Sequence, residues 1–560
     1  MNVLTKFESA ADAAFLSHSL PHPNLYVAMW YLLVVAEDSQ RNILIAEDGR
    51  IPQWRVEHLM DRFKYSLRSC LARARAEAKN TFPIPLPTRA PEAQYVLTRD
   101  LLLAGIDYSI ASQICSSAHN GSARIVEGVD GFRVEIVEAV LDKRYGALEA
   151  MRQSGKGDVV PFSHLLRHWI RESEYRPVAV HPIVASTRLR NRRIVYEYNP
   201  VWAYGLSQNL PRSREIIPAE WEFPWGGHMD TTLLLNNLSI RALYHSLAIT
   251  LGASKFELVG GAEYDLCLVQ SRAQWIEDLT QLSSLDREKI ERFVDCLTWG
   301  NGINSPDPAL QPFISLGNQR LALGPLGWLS SNVERNVLSL QARLEPKRFN
   351  AQSKLFEVGM TESLLTALRH RWSLVAANRT FTFATSREEV DILVCEPESR
   401  TIAVLELRWM LPPGDPREVQ LRKEACWEKT RQARRKSLAV RASLSHVLST
   451  AFGISEPDPA GWTVGAIVVI EGFGGARSQD TEVPVVPDWV LEAGVSASSS
   501  LRQLLAWAVG LEWLPLEGRD FNTVESNFFR DQIEVAYPGL EPLRNGLSFL
   551  EDATAPLRGS

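Results

Sequence analysis

The sequence predicts an α/β fold for the C-terminal half, a mixed sheet flanked by helices in the order αβββαβ, behind a helix-rich α+β N-terminal half. Three observations carry this. Three short runs rich in β-branched and apolar residues follow one another closely, at Thr380–Thr385, Val390–Cys395 and Thr401–Met410. Long helical patterns bracket them, Arg348 to about Trp372 and Glu418 to about Leu448. Beyond the second lies Trp462–Glu471, an almost unbroken apolar run of the kind that forms a strand covered on both faces.

Taken in order, the first 80 or so residues read as helical. Leu25–Ala36 and Trp54–Ala78 keep apolar residues at helical spacing and are nearly free of Gly and Pro. The first is too short for the ~20 residues a membrane helix needs. A break follows at Phe82-Pro83-Ile84-Pro85-Leu86-Pro87. Helices are expected over Thr98–Ala118 and Phe132–Gln153, then a loop at 155–158. Val178–Val184 and Arg193–Tyr198 read as short strands, and Ile217–Asp230, dense in Trp, Pro and Gly, as an irregular packed loop. Leu233–Leu251, Leu285–Trp299 and Ser330–Leu344 read as helices. At ~100–200 residues per domain the 560 residues allow two to four domains. The expected division is 1–175, 176–340 and 341–560.

Composition is ordinary for a globular chain, with 45% hydrophobic and 22% charged residues. Six scattered cysteines without a CxxC pair argue against a structural zinc site and a disulfide framework, so a reducing cytoplasm is the expected location. Met1-Asn2-Val3-Leu4-Thr5-Lys6 does not read as a charged region leading into an apolar stretch, so neither a secretory leader nor membrane association is expected. The formal net charge of −6 means that any nucleic-acid surface must be a local basic patch.

The chemistry concentrates in one hairpin. Glu396-Pro397-Glu398-Ser399-Arg400 is a turn sequence between the second and third runs. With the turn centred between Glu398 and Ser399, Leu393 opposes Val404, Cys395 opposes Ile402, and Asp391 opposes Glu406. The two carboxylates then share a face, with Cβ atoms ~4.5–5.5 Å apart. Ile392, Val394, Ala403, Leu405 and Leu407 fill the other face. Two carboxylates facing each other inside a covered sheet repel, so one takes up a proton or a cation sits between them. Oxygen ligands favour Mg²⁺ or Mn²⁺.

Asp391, fourteen residues, then Glu406-Leu407-Arg408 resembles the D…(D/E)-x-K signature of the PD-(D/E)XK nucleases. The order of elements over roughly 130 residues resembles that family's restriction-endonuclease-like core. The resemblance implies a metal-dependent nuclease that hydrolyses phosphodiester bonds. It implies Asp391, Glu406 and the backbone carbonyl of Leu407 as ligands to Mg²⁺ or Mn²⁺, with Glu357 of the leading helix completing the acidic cluster. Gln432 corresponds to the polar residue of the crossing helix. The family lysine is replaced by Arg408, which stays protonated and cannot act as a base. Arg408 can still contact the scissile phosphate, and Lys429, three residues before Gln432 on one helix face, is a substitute. An ion pair between Arg408 and Glu389 is the alternative use of that arginine.

Between Arg417 and Arg441 nine basic residues stand against three acidic ones, a local +6. Arg422, Lys423, Arg431, Arg434, Arg435 and Lys436 are the expected phosphate contacts, with DNA ahead of RNA as the partner. The N-terminal region is expected to recognise a substrate, a protein partner or a trigger, in bacterial (antiviral) defence or DNA processing. The alternative is a catalytically inactive protein of the same fold that binds nucleic acid or scaffolds a multi-protein complex. His228 and Asp230 lack further spaced ligands. Gly260-Gly261 and Gly474-Gly475 lack a phosphate-loop ending, and no Gly-x-Ser-x-Gly elbow occurs.

Overall fold

The computed structural model describes residues 2–46, 53–87, 91–128, 131–137, 139–155, 182–209, 217–258, 265–382, 387–414, 416–455, 460–471, 482–530, 533–544 and 546–558. The chain divides into two compact units. One comprises Met1–Ser112, Gly157–Asn350 and Arg530–Ile533, the other Gln113–Lys156, Ala351–Phe529 and Glu534–Ser560. The three regions read from the sequence thus fall into two units, and residues 113–156 belong with the C-terminal one. The physical reason is a non-local sheet. Ala123–Glu127 and Phe132–Ile136 form a hairpin whose second strand pairs in parallel with Ile533–Pro542, Phe132 opposite Val535. Phe132–Gln153, expected as one helix, is therefore a strand followed by the helix Ala139–Gly155.

In the first unit the helix His228–Lys255 is buried almost throughout its length. Its Arg241 is paired with Asp278 at 2.7 Å, both fully enclosed. Gln270 and Gln274 also donate to Asp278, and Tyr196 accepts from Arg241, so the buried charges are hydrogen-bonded as such pairs must be. The aromatic loop before this helix is packed as expected: Trp221, Phe223 and Trp225 are buried, and the last two rings stack. Pro182–Ala185 is a short helical turn where a strand was expected, and 178–181 lie outside the described residues, as do 156–158, Gly260-Gly261 and Gly474-Gly475.

The second unit is built on a five-stranded mixed sheet. A leading helix, Pro346–Arg371, precedes three antiparallel strands, Leu374–Thr382, Arg387–Glu396 and Thr401–Trp409. A crossing helix, Pro416–Ala442, and a shorter one, Leu444–Phe452, carry the chain to a fourth strand, Thr463–Glu471, parallel to the third. Val485–Pro487 adds a fifth, also parallel. Every residue from Thr401 to Leu407 is buried, so this central strand is covered on both faces. The crossing helix starts where Pro412-Pro413-Gly414 prevents continuation of the strand, with Pro416 at its first position and Glu418 accepting from the Gly414 N–H.

Candidate active site

The hairpin has the expected register. Ile392 opposes Leu405, Leu393 opposes Val404, Val394 opposes Ala403 and Cys395 opposes Ile402. The backbone ladder runs no further than Ile392 and Leu405, although the second strand continues back to Arg387 beside the first. Just beyond this point Asp391 Oδ2 accepts from the Leu407 N–H at 2.8 Å, a side chain taking a place the partner backbone leaves. On its other side Asp391 lies level with Asn378, whose φ of 51° breaks the regular first strand. The regular backbone pairing of the second and third strands thus ends beside Asp391.

Glu406 has no exposed surface, and Lys436 holds it: Nζ lies 2.7 Å from each of its two oxygens. Lys429 Nζ lies 3.6 Å from Glu406 Oε2 and 3.6 Å from Asp391 Oδ2. Burial pushes the Glu406 carboxyl above its ordinary range and the neighbouring Asp391 adds to the push, while Lys436 and Lys429 pull it back. Both lysines come from the crossing helix. Cys426, Thr430, Ala433 and Val440 form its buried stripe, and Lys436 stands three residues after Ala433 and four before Val440, on that stripe. Gln432 is half-buried on the same side, between the two lysines in sequence.

The other expected residues are placed differently. Arg408 is half exposed and turns to Glu357 of the leading helix, Nη1 to Oε1 3.2 Å, and not to Glu389, which stands opposite Thr380 of the first strand. Glu357 is therefore an arginine partner at the surface. Among the described residues no group of three His, Cys, Asp or Glu side chains is disposed to hold one metal ion. Asp230 pairs with Lys289 at 2.7 Å. The basic helix is also less bare than its sequence. Lys423 meets Asp142, Arg434 meets Glu482 and Arg435 meets Glu388 in ion pairs, and Arg431 lies over the exposed Trp427 ring. Lys436 is buried, so it faces Glu406 and not an outside phosphate. Its place on the apolar stripe, seven residues after Lys429, was the sequence signal for a lysine directed inward.

The donor set suits a hard cation. Asp391 and Glu406 are carboxylates, and a strand residue's N–H and C=O point to the same edge, so the Leu407 carbonyl faces the edge where Asp391 sits. Counted formally, the two carboxylates are matched by the two ammonium groups that lie against them. No protein-family model, curated protein or solved structure matches the chain.

Proposed function

We propose that the C-terminal unit is a PD-(D/E)XK-type core and that the chain is a Mg²⁺- or Mn²⁺-dependent nuclease acting on DNA. The observation that carries this reading is the convergence of Asp391 and Glu406 where the hairpin ladder ends, with Lys429 and Lys436 reaching them from the crossing helix. In this reading Asp391, Glu406 and the Leu407 carbonyl would hold the metal. The chemistry a divalent ion supplies when bound is a water of lowered pKa and a polarised phosphoryl oxygen. Lys429, at the open side of the pair, contacts the scissile phosphate, and Gln432 positions it. Lys436 keeps Glu406 in place. Arg408 is held by Glu357 and serves as a phosphate contact outside the cluster, so the lysine function of the family signature passes to the crossing helix.

The second reading, a protein of this fold that binds nucleic acid without cutting it, is favoured by one observation. Lys436 engages both oxygens of Glu406 in a buried bond that leaves few lone pairs for a metal. Incubating the full chain with duplex and single-stranded DNA and RNA in Mg²⁺ and in Mn²⁺ separates the two. The nuclease reading expects metal-dependent cleavage that Asp391→Ala and Glu406→Ala each abolish with binding retained. Binding without cleavage in either metal supports the second reading.

A further inference from the structure

The two lysines are held in unlike ways. Lys436 is 9% exposed and makes two short bonds to Glu406. Lys429 is 20% exposed, sits beside the part-exposed Asp391, and stands 3.6 Å from a carboxylate oxygen on each strand, beyond good hydrogen-bond distance to either. Withdrawing Lys436 would strand a buried carboxylate, whereas Lys429 can leave toward solvent on its flexible four-carbon stem.

We propose that Lys429 is an exchangeable placeholder: it occupies the cation position between Asp391 and Glu406, gives it up when a divalent cation binds, and then turns to the substrate phosphate. This rests on the nuclease reading above. The charge balance supplies the reason. Two ammonium groups already face the two carboxylates, and a divalent cation added beside both would put a formal excess of +2 on the cluster. Release of Lys429 removes half of that excess, and a phosphate at the mouth offers the released ammonium a new partner. Metal and nucleic acid therefore help each other to bind, and the site is quiet until both are present.

The test is a Mn²⁺ titration of the full chain by calorimetry, without nucleic acid. Lys429→Met and Lys429→Gln, both neutral, should bind Mn²⁺ about tenfold more tightly than wild type or better, since a competing charge a few ångströms away is gone. Lys429→Arg, which keeps the charge, should stay near wild type. Both neutral variants should cut more slowly at saturating Mn²⁺. If wild type binds Mn²⁺ and the neutral variants bind it no more tightly, the placeholder idea is overturned while the nuclease reading stands. If neither wild type nor the variants bind Mn²⁺, and none cuts, the nuclease reading itself fails and the inference with it.

Discussion

Glu406 has almost nowhere to put a negative charge except on Lys436. A carboxylate without solvent contact costs several kcal/mol unless it is paired and hydrogen-bonded, and Lys436 supplies both. Removing the ammonium leaves the acid buried with only the more distant Lys429 for compensation. Lys436→Met is thus expected to destabilise the C-terminal unit by about 3–5 kcal/mol, read as a lower urea midpoint. Glu406→Gln in the same background should restore part of the loss, because the stranded charge is then gone. An unchanged midpoint in Lys436→Met would mean that Glu406 is protonated in the native state and that the pair contributes little. The sequence pointed to Asp391 and Glu406 because opposite positions on a hairpin follow from the turn. It assigned Lys436 to an outside phosphate because a charge run is read by its composition, whereas its inward direction depends on where the apolar stripe of the helix falls.

Elements bounded by strong local signals were legible, and those shaped by distant partners were not. The turn at Pro397–Arg400 set the pairing of Ile392 with Leu405, since the hydrophobic pattern and the turn agree on one register. The first strand was read from Thr380 but begins at Leu374, because Ala376-Ala377-Asn378 carries weak strand preference and Asn378 interrupts the pleat with its left-handed backbone. The crossing helix carries the excess of +6 that its sequence shows, but partners on other elements meet most of it. Asp142, Glu388, Glu482, Asp391 and Glu406 lie on other elements and between them offset five of its six excess positive charges. Long-range attraction for a polyanion is correspondingly weak, and affinity should come from a few groups on the exposed face. Arg431→Ala and Arg434→Ala are each expected to weaken DNA binding modestly and to lower the slope of log K against log salt by about 0.9 for duplex DNA. Fluorescence anisotropy at several salt concentrations measures this, and an unaltered slope in both variants would rule out phosphate contacts by Arg431 and Arg434.

For the molecule as a whole, the division into two units escaped the sequence because the strand Phe132–Ile136 finds its partner some four hundred residues later, at Ile533–Pro542. Such pairing leaves no local trace. The first unit also carries two buried titratable groups with opposite effects on stability. Glu37 is enclosed and accepts from the Leu326 and Gly327 N–H groups, and burial raises its carboxyl to about 7. A raised acid stabilises the fold at low pH and loses that contribution as the pH rises from 4.5 to about 7. His245 donates from Nε2 to the Asp265 carbonyl and accepts at Nδ1 from Tyr196, and burial lowers its pKa to about 3. A lowered histidine stabilises the fold above 6.5 and loses that contribution as the pH falls toward 3. Between 4.5 and 6.5 the two slopes oppose. Glu37→Gln should uncover the histidine slope, so that stability rises by up to about 1.4 kcal/mol per pH unit relative to wild type across this range. Urea melts of both proteins at three pH values check it, and parallel profiles would show that Glu37 is ionised in the fold throughout.

The most direct measurement is strand cleavage of plasmid DNA by the purified chain in Mn²⁺, with Asp391→Ala and Glu406→Ala run beside it. A metal-dependent nuclease gives nicked or linear product from wild type alone, and none when a chelator is present. Equal product from all three proteins, or none from wild type in any divalent metal, would overturn the assignment of Asp391 and Glu406 to metal-dependent cleavage.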